Sequence, residues 1–463
     1  MQLLINRCWW IIALLIIGIL VNNALLPIHY DEAYYWLWGQ RLDFGYFDHP
    51  PMVGYVIWLT TLISDQVFWV RLGAVVCNLL ALWFFHLFVR DLYNRDTARL
   101  AALLLAVLPI VQINSTIITP DAPLALFWSL GLFTCWRALA GRSGYWYPAG
   151  IAIGLMVASK LMAVFFIFPL CLYILWRRRE LLMQRRLYLA ACLSLLPAIG
   201  MLYWNSRHGW PNILYQIYRS GTDDLAFHLI EYFGGYLLIF TPVLLWLAVD
   251  AVIKRASGGA ALLEGERLLL LIAFCMFVFF LVKAVRSGSE PNWVGPMVFL
   301  LLPLIAKDLL QHRRQYTALA AVACALLLSL LVRLPWVTGF EYAPSRVNYA
   351  LAAGIDRFAG EVQSGETLCS DYHTTASALI HRFGNTNPVI LRFATRPSQF
   401  DLWPDSNPAS CRALVQRGEL KDYHRRDCAS IRDHREFSIA LDKGYHPTFQ
   451  TFICDLNQGA GGL

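Results

Sequence analysis

Apolar blocks of bilayer-crossing length recur from Cys8 to about Pro335, and they constrain the fold of this 463-residue chain more than any other feature. A helix needs about 20 apolar residues to cross the hydrocarbon. Inside it the backbone must satisfy its own hydrogen bonds. Read this way, about eleven helical spans are predicted, at approximately 8–26, 67–89, 98–118, 121–140, 145–158, 160–176, 187–204, 229–252, 268–284, 292–306 and 315–335. Charged residues make up 15% of the chain and hydrophobic ones 58%, against roughly 25% and 45–50% in soluble domains. Soluble, fibrous and disordered folds are excluded, leaving a polytopic α-helical membrane protein with a tail of different composition. The first block lacks a small-residue cleavage site and runs straight into the most informative motif, so a retained first span is expected.

Orientation follows from the short loops. With a cytoplasmic N-terminus, each inside loop is basic: Arg90, Arg95 and Arg99; Arg137 and Arg142; Arg177, Arg178, Arg179, Arg185 and Arg186; Lys254, Arg255 and Arg267; Lys307, Arg313 and Arg314. The outside loops hold fewer cations: Arg41, Lys160, Arg207, Arg219, Lys283 and Arg286. The net charge of +7 is thus largely topology, and no nucleic-acid partner is implied. An odd number of spans puts residues 336–463 outside, which in a bacterium is the periplasm. That segment is long enough to bury a core of its own. GETLCSDYHTTASALIHRFG reads as a strand, a loop and a helix ending at Gly384, and NPVILRF as a second strand. A small α/β or α+β domain is expected.

Four of the eleven cysteines, Cys369, Cys411, Cys428 and Cys454, lie in this tail. In an oxidising compartment they can form two disulfides in three connectivities. The nested arrangement, Cys369–Cys454 with Cys411–Cys428, is the one expected, with four free thiols as the alternative. No C-x-x-C pair marks a zinc site.

Ionisable residues beside spans are costly and need a reason. After the first span comes PIHYDEAYYWLWGQRLDFGYFDHPPMVGYVIW, an outer loop of about 27–66. Its apolar residues are too interrupted to span and suit helices lying in the interface. It carries Asp31, Glu32, Tyr34, Tyr35, Asp48 and His49. Other features fall on the same side: Asp121 between two prolines, Lys160, then Arg207, His208, Trp210, Tyr215, Tyr218 and Arg219. The fifth outer loop adds Lys283, Arg286, Glu290, Asn292 and Trp293. Taken singly, each has an ordinary role: Asp121 caps a helix, Lys160 snorkels, the aromatics form an interfacial belt. Taken together they suit a reaction at a lipid–water interface. Carboxylates serve as bases and cations neutralise an anionic leaving group. Aromatics stack on sugar rings or line a lipid groove.

The runs HYDEAYYW, GYFDHPPMVGY, ITPDAPLALFW, SK and EPNW, in this order and spacing over 1–335, resemble the integral-membrane glycosyltransferases of the GT-C fold. The resemblance is to the bacterial branch related to protein O-mannosyltransferases and lipid A aminoarabinose transferases. It implies a membrane transferase domain over 1–335 and an outer domain over 336–463, to which SQFDLW at 398–403 also points. It further implies an inverting transfer, on the non-cytoplasmic face, from a polyprenyl-phosphate-linked sugar to a cell-envelope acceptor. Asp31 matches the catalytic carboxylate, with Glu32 second. An acid–lysine–proline run contributes to metal and phosphate binding in the aminoarabinose-transferase relatives. It is matched by Asp48, His49 and Pro50, where His49 departs from the lysine. Phosphate binding then falls to Lys160, Arg207, Lys283 and Arg286 beside His49. Tyr34, Tyr35, Asp48, Asp121, Glu290, Asn292 and Trp293 are expected to hold substrate. The sequence requires no cofactor; Asp48 with a histidine from another loop is the candidate site for a divalent cation.

No GxxxxGK[ST] or GxGxxG loop is present, and no cytoplasmic loop can house a nucleotide-sugar domain. That argues independently for a lipid-linked donor. Two rival readings are a protein O-glycosyltransferase with the same donor and a non-catalytic flippase for a lipid-linked sugar. A flippase would place broken or polar helices near the bilayer midplane; here the polar residues sit at span ends.

Overall fold

The computed structural model describes residues 2–218, 225–257, 262–287, 290–333, 344–394, 396–403, 408–416, 427–439 and 447–457. The membrane part is built from α1 (Gln2–Leu25), α2 (Tyr30–Gln40), α3 (Met52–Thr61), α4 (Val67–Leu92), α5 (Arg95–Val107), α6 (Pro109–Asn114), α7 (Asp121–Leu139) and α8 (Trp146–Ser159). It continues with α9 (Val164–Arg177), α10 (Arg185–Arg207), α11 (Pro211–Tyr218), α12 (Leu225–Ala256), α13 (Glu264–Ser287), α14 (Met297–Gln311) and α15 (Gln315–Arg333). Among the described residues, six of these (α1, α4, α7, α10, α12 and α13) are long and apolar enough to cross a bilayer by themselves. Over the described residues each predicted span falls mainly on helix, the sixth and tenth opening on 3-10 turns, but the third is broken. Leu108 takes an extended conformation before Pro109, so 98–118 becomes α5 and α6, as the clash of a proline ring with its preceding turn requires. Helix α12 carries its own kink, with Thr241 at φ 63° before Pro242.

The two ends of the bundle differ. At the end predicted to be cytoplasmic, Glu266 accepts hydrogen bonds from Tyr93, Arg255 and Lys307, and Arg255 also reaches Asp308. Arg137 bonds Asp91 there, and Arg314 bonds Asp250. Cations predicted as topological signals therefore also tie α4, α7, α12, α13, α14 and the start of α15 together. The opposite end carries α2 and α3, which cross closely. A Cβ on Gly39 would lie 3.2 Å from the Trp58 nitrogen, and one on Gly54 3.1 Å from Trp38 Cβ. Glycine at both positions lets the helices cross this closely, where a Cβ would push its neighbours back by a few tenths of an ångström, and the crossing holds the first outer loop as a compact hairpin.

The tail forms α16 (Pro344–Ala359), β1 (Leu368–Ser370), α17 (His373–Phe383), β2 (Val389–Leu391), β3 (Ser410–Gln416), β4 (Cys428–Ser438) and β5 (Thr448–Leu456). The strand, helix to Gly384 and second strand read from the sequence are β1, α17 and β2. They belong to one sheet of order β2-β1-β3-β5-β4, parallel at β1 and antiparallel beyond β3. The disulfide pairing corrects the nested expectation: Cys369 bonds Cys411 and Cys428 bonds Cys454. Sheet order decides this. β1 lies beside β3 and β4 beside β5, and the Cα separations of 5.9 and 5.3 Å suit a bridge. Cys411 and Cys454 also face each other across β3 and β5, a proximity that chain order does not reveal. The tail is seated on the first outer loop: Ala33 of α2 lies in one apolar cluster with Leu351, Phe358, Leu379 and Phe449.

Candidate functional site

The site is organised by α2. His29 ends the approach to this helix in extended conformation and caps it. Its Nδ1 accepts from the Asp31 N–H at 3.2 Å, while Glu32 Oε2 accepts from the His29 N–H at 2.9 Å. This is a capping box with histidine in the serine position. Glu32 then turns inward. It and Arg71 of α4 are fully buried and paired at 2.7 Å, and Glu32 Oε1 also accepts the Ile118 N–H at 2.9 Å. Arg71 spends its remaining donors on the carbonyls of Asn23, Leu26 and Pro27. The adjacent residue, Asp31, points the other way, and 38% of its side chain is accessible.

What Asp31 faces is a cavity of about 390 Å³. Its polar wall comes from four regions. Asp31, Tyr34, Tyr35, Asp48 and His49 come from the first outer loop; Asp121 and Lys160 from the start of α7 and the end of α8; Lys283, Glu290, Asn292 and Trp293 from the end of α13 and the turn after it; His373 and Arg396 from the tail. Met162, Val164, Phe165, Phe279 and Phe280 supply an apolar side. Lys160 Nζ donates to both Asp121 oxygens at 2.8 and 3.0 Å, and Asn292 Nδ2 donates to Asp121 at 3.1 Å. Asp121 is the first residue of α7, where the helix dipole favours a carboxylate. Lys283 Nζ lies 5.3 Å from the centre of the Trp293 ring, a cation–π distance.

On the tail side, the Tyr34 hydroxyl donates to Asp48 Oδ2 at 2.7 Å and accepts the Gln399 N–H at 2.8 Å. Gln399 Oε1 accepts the Phe47 N–H at 2.8 Å. Arg396 donates to Asp48 Oδ1 at 2.9 Å and, through its other terminal nitrogen, meets His373 Nε2 at 2.8 Å. Phe400 stacks on Tyr34, and Arg41 sits 4.6 Å over Trp403. The tail is thus part of the cavity wall.

Electrostatics single out Asp31. Partial desolvation within the cavity, then the carboxylates of Asp48 and Glu290, raise its pKa to about 7; Arg396 opposes and Glu32 adds a little. His29, 3.9 Å away, does not neutralise it. Burial pushes that imidazole down to about 4, and its Nδ1 is committed as an acceptor, so it is neutral. A carboxyl poised near neutrality in a cavity is suited to accepting a proton. Burial likewise lowers His373 to about 3, with Arg396 contributing, and raises Tyr34 and Tyr35 far above the phenolic range.

Most of the residues singled out in the sequence meet here: Asp31, Tyr34, Tyr35, Asp48, His49, Asp121, Lys160, Lys283, Glu290, Asn292 and Trp293 all line the cavity. Three do not. Glu32 is consumed by Arg71. Arg207 and Arg286 are exposed and stand outside the lining; at the end of α10 it is Trp204, through its indole N–H to Asp43 at 2.8 Å, that supports the loop. Arg219 lies outside the described residues. His373 and Arg396 were missed, and only the neighbouring SQFDLW run hinted that this part of the tail mattered. The expected cation site does not fit the donors present: Asp48 has one oxygen on Tyr34 and the other on Arg396. Among the described residues no three His, Cys, Asp or Glu side chains converge as ligands.

Known proteins share parts of this sequence and its fold. The family described as dolichyl-phosphate-mannose-protein mannosyltransferase matches residues 48–204. A lipid A galacturonosyltransferase of Rhizobium johnstonii is 22% identical over 59% of this chain and 59% of its own length. An undecaprenyl phosphate-alpha-4-amino-4-deoxy-L-arabinose arabinosyl transferase of Pseudomonas aeruginosa is 31% identical over 60% of this chain and 53% of its own. The matched regions therefore span less than two thirds of either relative. Likeness of fold extends further. The crystal structure of ArnT from Cupriavidus metallidurans superposes with a TM-score of 0.63 over 96% of this chain and 97% of that one, at 15% identity. Its complex with undecaprenyl phosphate gives 0.64 at 16% identity, over 96% and 98%. The helical bundle and the sheet-bearing tail together have the architecture of ArnT.

Proposed function

We propose that this multi-pass protein of GT-C fold transfers a sugar from a polyprenyl-phosphate carrier to a lipid A-type glycolipid, at the periplasmic face of a bacterial inner membrane. In this reading residues 1–335 are the transferase domain, with its reaction centre at the first outer loop, and 336–463 the outer domain. The observation that carries it is the placement of Asp31 in a cavity that also gathers Lys160, Lys283 and Arg396 and has an apolar side, where its surroundings raise its pKa. Asp31 takes the proton of the acceptor hydroxyl as that oxygen attacks the anomeric carbon. The bond to the donor phosphate breaks on the opposite face, so configuration inverts. The leaving polyprenyl phosphate keeps the electron pair, and Lys160 and Lys283 stabilise its charge. Phe165, Phe279 and Phe280 suit the isoprenoid chain. The lipid A relatives and the ArnT fold, one crystal form of which holds undecaprenyl phosphate, support the donor and acceptor classes.

Mass spectrometry of polyprenyl-phosphate sugars and surface glycolipids tests this in wild-type, deletion and Asp31→Asn strains. Both mutants are expected to accumulate one charged carrier and lose that sugar from one glycolipid. A changed profile in the deletion alone would favour a flippase and remove Asp31 from its role. The match of residues 48–204 to protein mannosyltransferases favours a second reading, a protein acceptor, which would appear as a lost glycopeptide rather than a lost glycolipid sugar.

A further inference from the structure

The contacts of Arg396 carry one step more. Asp48 stands on the loop between α2 and α3, His373 at the first turn of α17, and both line the same cavity. An oxygen donor and an imidazole nitrogen facing each other across a cavity are the start of a divalent-cation site. Here a guanidinium fills that position. Arg396 Nη1 lies 2.9 Å from Asp48 Oδ1 and Nη2 lies 2.8 Å from His373 Nε2. Its charge rests 5.4 Å over the ring of Tyr215, and Asp48 is steadied from its other side by Tyr34. We propose that Arg396 is the resident cation of this site. It occupies the place between Asp48 and His373 that a metal ion would otherwise take, and it fixes both side chains as a positioning residue.

The chemistry of the group supports this. A guanidinium stays charged at every accessible pH and offers five donors in a plane, so two can be spent on Asp48 and His373 at once. A metal ion at the same place would need both ligands and would compete with protons for them. Lysine could keep the charge but, as a point donor, could not hold both partners in that geometry. The cation also comes from the tail, so the charge reaches the cavity only when the outer domain is seated on α2. The inference depends on the transferase reading only where transfer is the readout; metal binding tests it separately.

Purified full-length protein is titrated with Co²⁺ and followed by visible absorption, in wild type, Arg396→Ala, Arg396→Lys and the double variant Arg396→Ala with His373→Ala. Wild type and Arg396→Lys are expected to show no bound-cobalt spectrum. Arg396→Ala should gain one, and the double variant should lose it again. Wild-type transfer should be unaffected by a chelator, while Arg396→Ala should lose most of its rate and recover part of it with divalent metal. A cobalt spectrum in wild type that His373→Ala abolishes would overturn the proposal. So would chelator inactivation of wild type reversed by metal, or an Arg396→Ala protein that folds normally and binds no cobalt. If no transfer is seen with any polyprenyl-phosphate sugar, the transferase reading fails, and the cobalt series still decides the role of Arg396.

Discussion

Two neighbouring acids on α2 do opposite things because their side chains leave the helix in different directions. Asp31 faces the cavity, and its raised pKa implies a rate that climbs as pH rises through about 7, since only the ionised form accepts a proton. A pH–rate profile of donor-saturated transfer checks this; a flat profile between pH 6 and 8 would argue against a base with that pKa. The stability sign runs the other way. An acid whose folded pKa lies above its ordinary value of 3.8 favours folding while protonated, and that contribution is lost as pH rises through about 7. Asp31→Asn should therefore abolish transfer while its melting temperature at pH 8 equals or exceeds that of wild type. A protein that loses activity by unfolding would melt lower. Glu32 gives the contrasting result. Removing it leaves Arg71 buried and unpaired, which costs about 3–5 kcal/mol. Glu32→Ala should show a large fall in thermal stability, and its activity loss should follow the unfolded fraction.

At the scale of elements, the α2–α3 crossing sets where Asp31 and Asp48 stand. A Cβ at position 54 would press on Trp38 at 3.1 Å, and Trp38 is fully buried and stacked on Tyr46. Gly54→Val should separate the two helices, lowering the melting temperature by several degrees and the transfer rate at least tenfold; differential scanning fluorimetry and initial rates measure both. Apolar length makes these elements legible: the predicted spans fall mainly on helix over the described residues, and the interrupted apolar pattern of the outer loop matches α2 and α3, which are too short to cross. The break at Pro109 shows where hydropathy misleads. The apolar run stays apolar through Pro109 while the helix breaks there, yet α9, α10 and α14 continue through Pro169, Pro197 and Pro303, so neither hydropathy nor a proline by itself marks the break. Arg207 and Arg286 stand outside the cavity lining for a different reason. Sequence groups both with the other outer-loop residues, yet which way a side chain leaves its helix depends on neighbours distant in the chain.

Across the whole molecule, cavity and tail form one unit. Peptide mapping under non-reducing conditions should recover Cys369 linked to Cys411 and Cys428 linked to Cys454. Reduction should lower thermal stability, because each bridge restrains the unfolded chain by about 2–4 kcal/mol. It should also slow transfer, since the strand β1 pinned by Cys369 leads directly into His373. Nested connectivity in the peptide map would contradict the sheet order. Local chemistry alone encodes several features: apolar length marks the long membrane helices, turn and strand signals the β1–α17–β2 unit, and motif spacing the carboxylates and lysines that line the cavity. Tertiary structure decided the rest: the disulfide partners, the burial of Glu32 under Arg71, and the meeting of Arg396 with Asp48 and of His373 with Tyr34, residues far apart in the chain. Those contacts are set by how the sheet docks on α2, and no local pattern in a chain records which distant surfaces will exclude water together.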